Sequence, residues 1–132
     1  MNIMKDRNFG IGADIESIDH FRNFKYDKNN RFLNNTFTKN ELEYCFSKQE
    51  PSPHLAARFA GKEAVFKALN GICKVNPRYN QIEIINDENG VPFVKLHNKS
   101  TQSIQVFLSL AHCEDKALAF AVLTEVDNDG KW

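Results

Sequence analysis

The sequence has no excess of charge of either sign. Its 132 residues contain 17 Lys+Arg and 17 Asp+Glu, so the formal net charge is zero. General nucleic-acid binders gain much of their affinity from phosphate contacts and usually carry a basic excess. The charge balance therefore argues against a nucleic-acid partner.

Cysteines are few, and long apolar runs are missing. Cys45, Cys73 and Cys113 are odd in number and form no C-x-x-C pair. This pattern argues against a disulfide framework or a zinc site and favours a reducing cytosol. The chain also lacks a secretory signal and any run of 18 apolar residues that would span a membrane. We therefore expect a cytoplasmic protein without a membrane partner.

What remains is an ordinary globular composition, with 42% hydrophobic and 26% charged residues. The length predicts a single domain over residues 1–132, with a frayed tail at about 126–132. Phe9 to Ile15 is typical of a strand, and its glycines would let another segment or a ligand approach the backbone closely. A short helix should follow, capped by Ser17 or Asp19 and running through Phe21 and Phe24. After it we expect a polar loop over 27–35.

A capping box is the clearest helix start. Thr38 and Glu41 have the spacing at which side chain and backbone satisfy each other, and they open a helix. The strongest helical pattern runs from about Pro53 to Asn70, with Ser52 as its cap and an apolar stripe along one side.

The second half of the chain alternates like strands. The predicted strands, the first two joined by a turn at 87–90, cover 81–86, 91–96, 103–110 and 117–123. Helices followed by strands predict an α+β fold, with an antiparallel sheet packed against a long helix and shorter helices.

A local excess of cations marks the long helix and the segment after it. Between residues 53 and 80 the only acid is Glu63, and the cations are Arg58, Lys62, Lys67, Lys74 and Arg78. This excess suits an anionic ligand of limited size, and the alternative is a solvated helix face.

Two acids could hold a hard cation. Asp14 ends the glycine-flanked strand, and Glu63 lies one helical turn before Lys67. Mg²⁺ usually takes one or two carboxylates together with phosphate oxygens, so the two acids could bind it if the fold brings them together. The alternatives are a helix-capping role for Asp14 and a surface ion pair for Glu63 and Lys67.

Polar side chains at the end of a later strand could bind phosphate. Ser109 and His112 can both donate hydrogen bonds, although a strand-end serine and a turn histidine are also common without function. Cys113 adjoins His112, but adjacent residues rarely point at each other, so we treat this cysteine as structural or incidental.

Five blocks of sequence, in order, resemble one family over about residues 9–123. They read Gly10-Ile-Gly-Ala-Asp14-Ile, Phe37-Thr-x-x-Glu41-Leu, Arg58-Phe-Ala-Gly-Lys62-Glu63-Ala-Val-Phe-Lys67-Ala-Leu, Asp87-Glu-x-Gly90-x-Pro92 and Ser109-Leu-Ala-His112. Together they resemble the 4′-phosphopantetheinyl transferase superfamily, and within it the short, holo-(acyl-carrier-protein) synthase type.

The resemblance implies a reaction and the residues that carry it. Such enzymes move the 4′-phosphopantetheine arm of coenzyme A to a serine of an apo acyl carrier protein and release 3′,5′-ADP. Asp14 and Glu63 match the family's magnesium ligands, and Lys67 matches a lysine that contacts phosphate. These three are the expected catalytic residues, and Glu63 or a metal-bound water would receive the serine proton. The positions expected around the coenzyme are Arg58, Lys62, Lys67, Ser109 and His112.

The resemblance also implies a homotrimer with coenzyme sites between subunits. Arg22 and Lys25 are candidates for docking an acidic carrier protein, or they are ordinary surface charges. The sequence departs from the family pattern at Ala111, where a serine is usual, and at Ser17, where a glutamate is common. These departures keep a non-catalytic coenzyme A or nucleotide-binding module as an alternative, besides a non-enzymatic interaction domain.

Overall fold

The computed structural model describes residues 8–73 and 75–126. The α-helices are α1 (Arg31–Thr36), α2 (Lys39–Phe46) and α3 (Pro51–Asn70), and the strands are β1 (Phe9–Ser17), β2 (Ile82–Asn86), β3 (Pro92–Leu96), β4 (Ile104–His112) and β5 (Lys116–Glu125). Short 3₁₀ helices cover Ile18–Phe21, Tyr79–Gln81 and Lys99–Thr101. Of the expected frayed tail, residues 127–132 lie outside the described residues.

The strands form two antiparallel sheets, and α3 contacts strands of both. One sheet has the order β1-β5-β4, and the other is the β2–β3 hairpin. Alanines of α3 share a core with buried residues of β5 and β2 and with half-buried residues of β3. This arrangement confirms the predicted α+β class, with a long helix packed on antiparallel sheets.

Glycine allows β1 to lie directly against the backbone of α3. A Cβ on Gly12 would stand 2.0 Å from the carbonyl oxygen of Ala64, and one on Gly10 would stand 2.1 Å from that of Ala68. Such distances are impossible for real carbon and oxygen atoms, so only glycine fits at these two positions. The close approach expected from the sequence is therefore made by a helix.

The opposite face of the three-stranded sheet is apolar and exposed. Side chains alternate along β1 and β5, so every second residue points away from α3. The large apolar side chains of these two strands on the outer face are Phe9, Ile11, Ile15, Leu118 and Phe120. An exposed apolar surface of this kind is typical of a contact with another molecule.

The local helix signals were partly confirmed. The Thr38–Glu41 capping box is present and α2 begins after it. The predicted loop over 27–35 was correct for 27–30 and wrong beyond, because the Asn30 side chain accepts a hydrogen bond from the Leu33 amide and caps α1. The predicted Ser52 cap was also wrong, since α3 already begins at Pro51, with Glu50 at its N-cap position.

The short helix after β1 ends earlier than expected. It is a 3₁₀ helix that stops at Phe21, so Phe24 lies beyond it, and Ser17 occupies its N-cap position without a side-chain hydrogen bond. In the described part of the chain, no helix is both long and apolar enough to cross a membrane.

Candidate functional site

Asp14 and Lys67 meet where β1 crosses α3. The Lys67 Nζ lies 3.2 Å from Asp14 Oδ1 and donates a further hydrogen bond, at 3.0 Å, to the carbonyl oxygen of Ala13. The Lys67 side chain is 52% exposed and that of Asp14 only 14%. The lysine therefore fixes the strand acid while its own ammonium remains accessible from solvent.

Glu63 lies one helical turn before Lys67 on the same helix. Its Oε1 accepts a hydrogen bond of 2.8 Å from the hydroxyl of Tyr79. Burial, the hydrogen bond to Glu63 and the nearby acids raise the pKa of Tyr79 to about 12, so the phenol stays protonated and remains a donor at neutral pH. Sequence reasoning missed Tyr79, because nothing in its local pattern relates it to α3.

A third acid, Glu16, joins this group. Burial and the neighbouring carboxylates of Asp14 and Glu63 raise the pKa of Glu16 to about 7, while Lys67 opposes the shift. The two acids predicted from the sequence, Asp14 and Glu63, therefore both act on Glu16, and the three acids are called the Asp14 cluster below. Strand alternation could have identified Glu16, because residues two apart on β1 share a face.

The chemistry of this cluster fits a hard cation. Among residues 8–73 and 75–126, the buried Asp14 Oδ2 has no hydrogen-bond partner, which is costly for a carboxylate oxygen unless a ligand satisfies it. In the described ranges, no set of three or more acidic, histidine or cysteine side chains is arranged to hold a metal alone. Asp14 and Glu63 could therefore hold Mg²⁺ if phosphate or water oxygens completed its shell.

Lys62, which was expected beside the coenzyme, lies instead in the core. Its ammonium is 0% exposed, pairs with Glu41 Oε1 at 2.7 Å and donates to the carbonyl oxygens of Tyr79 and Ile82. Burial lowers the pKa of Lys62, and the Glu41 carboxylate opposes that shift. All three N–H donors are used inside the protein, so Lys62 has a structural role.

Arg58 and His112 line a cleft away from the acids of the Asp14 cluster. Its volume is about 170 Å³, and its lining also includes Tyr44, His54 and Asn86. The Arg58 guanidinium lies 4.1 Å above the Tyr44 ring, and its buried Nε has no hydrogen-bond partner in the described part of the chain. Burial and then the charge of Arg58 lower the pKa of His54. Arg58 is itself buried, with 3% of its surface exposed, so an anion would meet its charge only from within this cleft.

This cleft and Glu63 lie on different sides of α3. Arg58 and Glu63 are five residues apart, which places them about 140° apart around an α-helix axis. Ser109 is separate from both, because it pairs with exposed Phe120 on the outer face of the sheet, whereas Asp14 pairs with buried Ala119. Within one chain, Ser109 therefore does not approach the Asp14 cluster.

Comparison with solved structures identifies the fold. Holo-(acyl-carrier-protein) synthase from Bacillus anthracis, solved in complex with CoA (3′,5′-ADP), superimposes with a TM-score of 0.72 at 27% identity. The alignment covers 88% of this chain and 96% of that one.

Sequence comparison defines the family. The chain matches the model of the 4′-phosphopantetheinyl transferase superfamily over residues 10–121, and it belongs to that family. The holo-(acyl-carrier-protein) synthase of Protochlamydia amoebophila is 43% identical over 116 residues, which cover 86% of this chain and 95% of the relative. The enzyme of the same name from Chlamydia muridarum is 41% identical over 126 residues, which cover 93% and 99%.

Proposed function

We propose that this protein is a holo-(acyl-carrier-protein) synthase. It transfers the 4′-phosphopantetheine group of coenzyme A to a serine of an apo acyl carrier protein and releases adenosine 3′,5′-bisphosphate. The observation that carries the proposal is the ion pair of Asp14 and Lys67 between β1 and α3, with Glu63 one helical turn before Lys67, in a chain of this family.

The reaction exchanges one phosphorus–oxygen bond for another. The serine oxygen attacks the phosphorus attached to pantetheine, and the bond to the adenosine-side phosphate breaks. Phosphoryl transfer needs mainly positioning and charge stabilisation. Lys67, whose exposed ammonium lies beside Asp14, would bind the nonbridging oxygens of the diphosphate. Glu63 is the candidate to receive the proton of the serine hydroxyl.

Asp14 and Glu63 would hold magnesium in this site. The ion, when bound, would act as a Lewis acid on the diphosphate and neutralise part of its charge. The buried, unpartnered Asp14 Oδ2 supports this assignment, because that oxygen has no hydrogen bond from the described residues.

The cleft of Arg58 and His112 would bind another phosphate of the coenzyme. A single coenzyme must then reach two charged sites on different sides of α3. A neighbouring subunit could join them, and the exposed apolar face of the three-stranded sheet supports such an assembly. The proposal therefore includes a homotrimer. In this assembly, Ser109 on the outer face of the sheet would lie near the boundary between two subunits.

The carrier protein and the compartment complete the proposal. Arg22 already pairs with Asp19 and Glu50, so Lys25 is the less neutralised of the two docking candidates.

The cysteines at 45, 73 and 113 are free, which is compatible with a reducing cytosol. We place the protein there, with a role in fatty acid biosynthesis.

The decisive experiment is a mass measurement on apo carrier proteins incubated with the protein, coenzyme A and Mg²⁺. A mass gain equal to one phosphopantetheine group supports the transferase. Tight coenzyme binding without a mass gain across a panel of carriers would favour the non-catalytic module. Absence of any thermal stabilisation by coenzyme A and Mg²⁺ would favour an interaction domain, because a ligand of the native state raises its apparent stability.

Site variants with matched controls test the residue roles. Asp14→Asn and Glu63→Gln should lose activity at low Mg²⁺, and Lys67→Ala should raise the KM for coenzyme A. Glu43→Gln and Lys39→Ala remove the members of an exposed ion pair on α2 and should leave activity unchanged. Near-wild-type turnover of the Asp14 or Glu63 variant at low Mg²⁺ would contradict the metal assignment.

A further inference from the structure

Tyr79 is held by two consecutive residues of α3. The Lys62 ammonium donates to its carbonyl oxygen at 2.9 Å, and Glu63 Oε1 accepts from its hydroxyl at 2.8 Å. Lys62 is itself fixed by the buried carboxylate of Glu41. The backbone of Tyr79 is therefore anchored in the core, while its side chain reaches the carboxylate of the candidate site.

The aromatic ring is held independently of the hydroxyl. Its centroid lies 5.8 Å from that of Phe59 and 6.1 Å from that of Phe66, and both phenylalanines belong to α3. Packed aromatic pairs at such distances restrict a ring's movement and add to stability. The hydroxyl thus has a fixed position that does not depend on its bond to Glu63.

Glu63 needs an external contact to hold one orientation. A glutamate has several rotatable bonds, and fixing them in a bound state costs conformational entropy. Within residues 8–73 and 75–126, the Tyr79 hydroxyl is the donor to this carboxylate. A donor held in place by other contacts reduces the cost of ordering the carboxylate when a ligand binds.

We propose that Tyr79 is a positioning residue for Glu63: its hydroxyl fixes the rotation of the carboxylate and thereby strengthens divalent-cation binding by Asp14 and Glu63. The inference rests on the proposed function, since it concerns the same metal site. Outer-shell hydrogen bonds to ligating side chains commonly change metal affinity by about 10- to 100-fold.

Direct titration with Mn²⁺ tests the inference without relying on turnover. Free Mn²⁺ is measured by its electron paramagnetic resonance signal as wild type and Tyr79→Phe are titrated. The variant keeps the ring and the carbonyl, and it should bind Mn²⁺ about tenfold more weakly. Tyr26→Phe is the matched control, because Tyr26 is exposed and packs against Phe46. It should bind like wild type.

Kinetics separate positioning from a general structural effect. In Tyr79→Phe, the Mg²⁺ concentration for half-maximal activity should rise about tenfold, while kcat at saturating Mg²⁺ stays within about twofold of wild type. A merely structural role would lower kcat at every Mg²⁺ concentration and would lower the melting temperature with it.

The double variant Tyr79→Phe/Glu63→Gln gives a second measurement. If the hydroxyl acts through Glu63, its removal in the Glu63→Gln background should change Mn²⁺ affinity by less than about twofold. A full tenfold loss in that background, or equal Mn²⁺ affinity of wild type and Tyr79→Phe, would overturn the inference and leave the proposed function intact. Failure of the wild type to bind Mn²⁺ would overturn the metal site and the inference together.

Discussion

Replacing Gly12 by alanine should push β1 away from α3 and damage both stability and activity. The added Cβ would lie 2.0 Å from the carbonyl oxygen of Ala64 and 2.9 Å from the amide nitrogen of Ala68. Ordinary van der Waals contact begins at 3.4 Å, so strand and helix must separate by about 1.4 Å. Both obstacles are backbone atoms, which cannot rotate aside as a side chain can.

The expected magnitudes follow from this displacement. Overpacking a core typically costs about 1–3 kcal/mol, and the backbone clash places Gly12→Ala at the upper end. For a domain of this length, we expect the melting temperature to fall by roughly 10 °C. Because Asp14 lies two residues further along β1, its displacement by about 1 Å should lower kcat/KM about 100-fold.

Thermal melts by circular dichroism and transferase assays below the melting temperature measure the two effects. Gly71→Ala is the control, because its Cβ would stand 3.3 Å from the carbonyl oxygen of Ala68 and its φ is an ordinary −78°. That variant should change stability by less than about 1 kcal/mol. A Gly12→Ala protein that melts within about 2 °C of wild type and keeps full activity would refute the close packing of β1 on α3.

Three further variants test other contacts. Arg58→Gln removes the charge of the cleft lined by Arg58 and His112, and it should raise the KM for coenzyme A about tenfold with little change in kcat. An unchanged KM would exclude Arg58 from coenzyme binding. Lys62→Met leaves a buried carboxylate unpaired and should lower the free energy of unfolding by about 3–5 kcal/mol, measured by urea titration. A loss below about 1 kcal/mol would contradict the burial of that ion pair. Burial alone would raise the pKa of Glu83, but hydrogen bonds from Thr38 and His97 outweigh it and lower that pKa below 4.5. The charged form of Glu83 therefore stabilises the fold above about pH 4.5, and this stabilisation is lost as the pH falls through its lowered pKa. Glu83→Gln should have a lower melting temperature than wild type near neutral pH, and its melting temperature should fall less on acidification. An equal fall in wild type and variant would contradict this.

Local sequence patterns predicted the helices and strands well, but they predicted the contacts of individual side chains less well. The spacing of Arg58 and Lys62 correctly placed them on one side of α3. Whether that side faced solvent depended on α2 and β2, which supply Glu41 and the carbonyl of Ile82 around the lysine. Those contacts join residues about twenty positions apart, which helical spacing alone does not reveal.

The capping box illustrates the same limit. Its spacing predicted the bond between Glu41 Oε1 and the Thr38 amide, which is present at 2.8 Å. The same carboxylate also accepts from Lys62 and, through Oε2, from the amide of Ile84 at 2.9 Å. One acid thus connects a helix start, the long helix and a strand, and only the first of these roles is local.

The candidate site divides in a similar way. Resemblance to a family supplied the pair Asp14 and Glu63, and alternation along β1 explains why Asp14 faces α3. Tyr79 could not be predicted, because it reaches Glu63 from the 3₁₀ helix Tyr79–Gln81, after the turn that follows α3. Ser109 was also expected near the coenzyme; strand register puts it on the outer face of the sheet, so that prediction depends on a neighbouring subunit.

The different exposure of two lysines on α3 also determines their reactivity. Acylating reagents modify uncharged amines that they can reach, so Lys67 should be labelled in the native protein and Lys62 only after unfolding. Peptide mapping after brief acylation would therefore compare an accessible lysine at the candidate site with a buried lysine on the same helix. If coenzyme A shields Lys67 from the reagent while exposed Lys39 continues to react, the footprint locates the bound diphosphate without any assay of turnover.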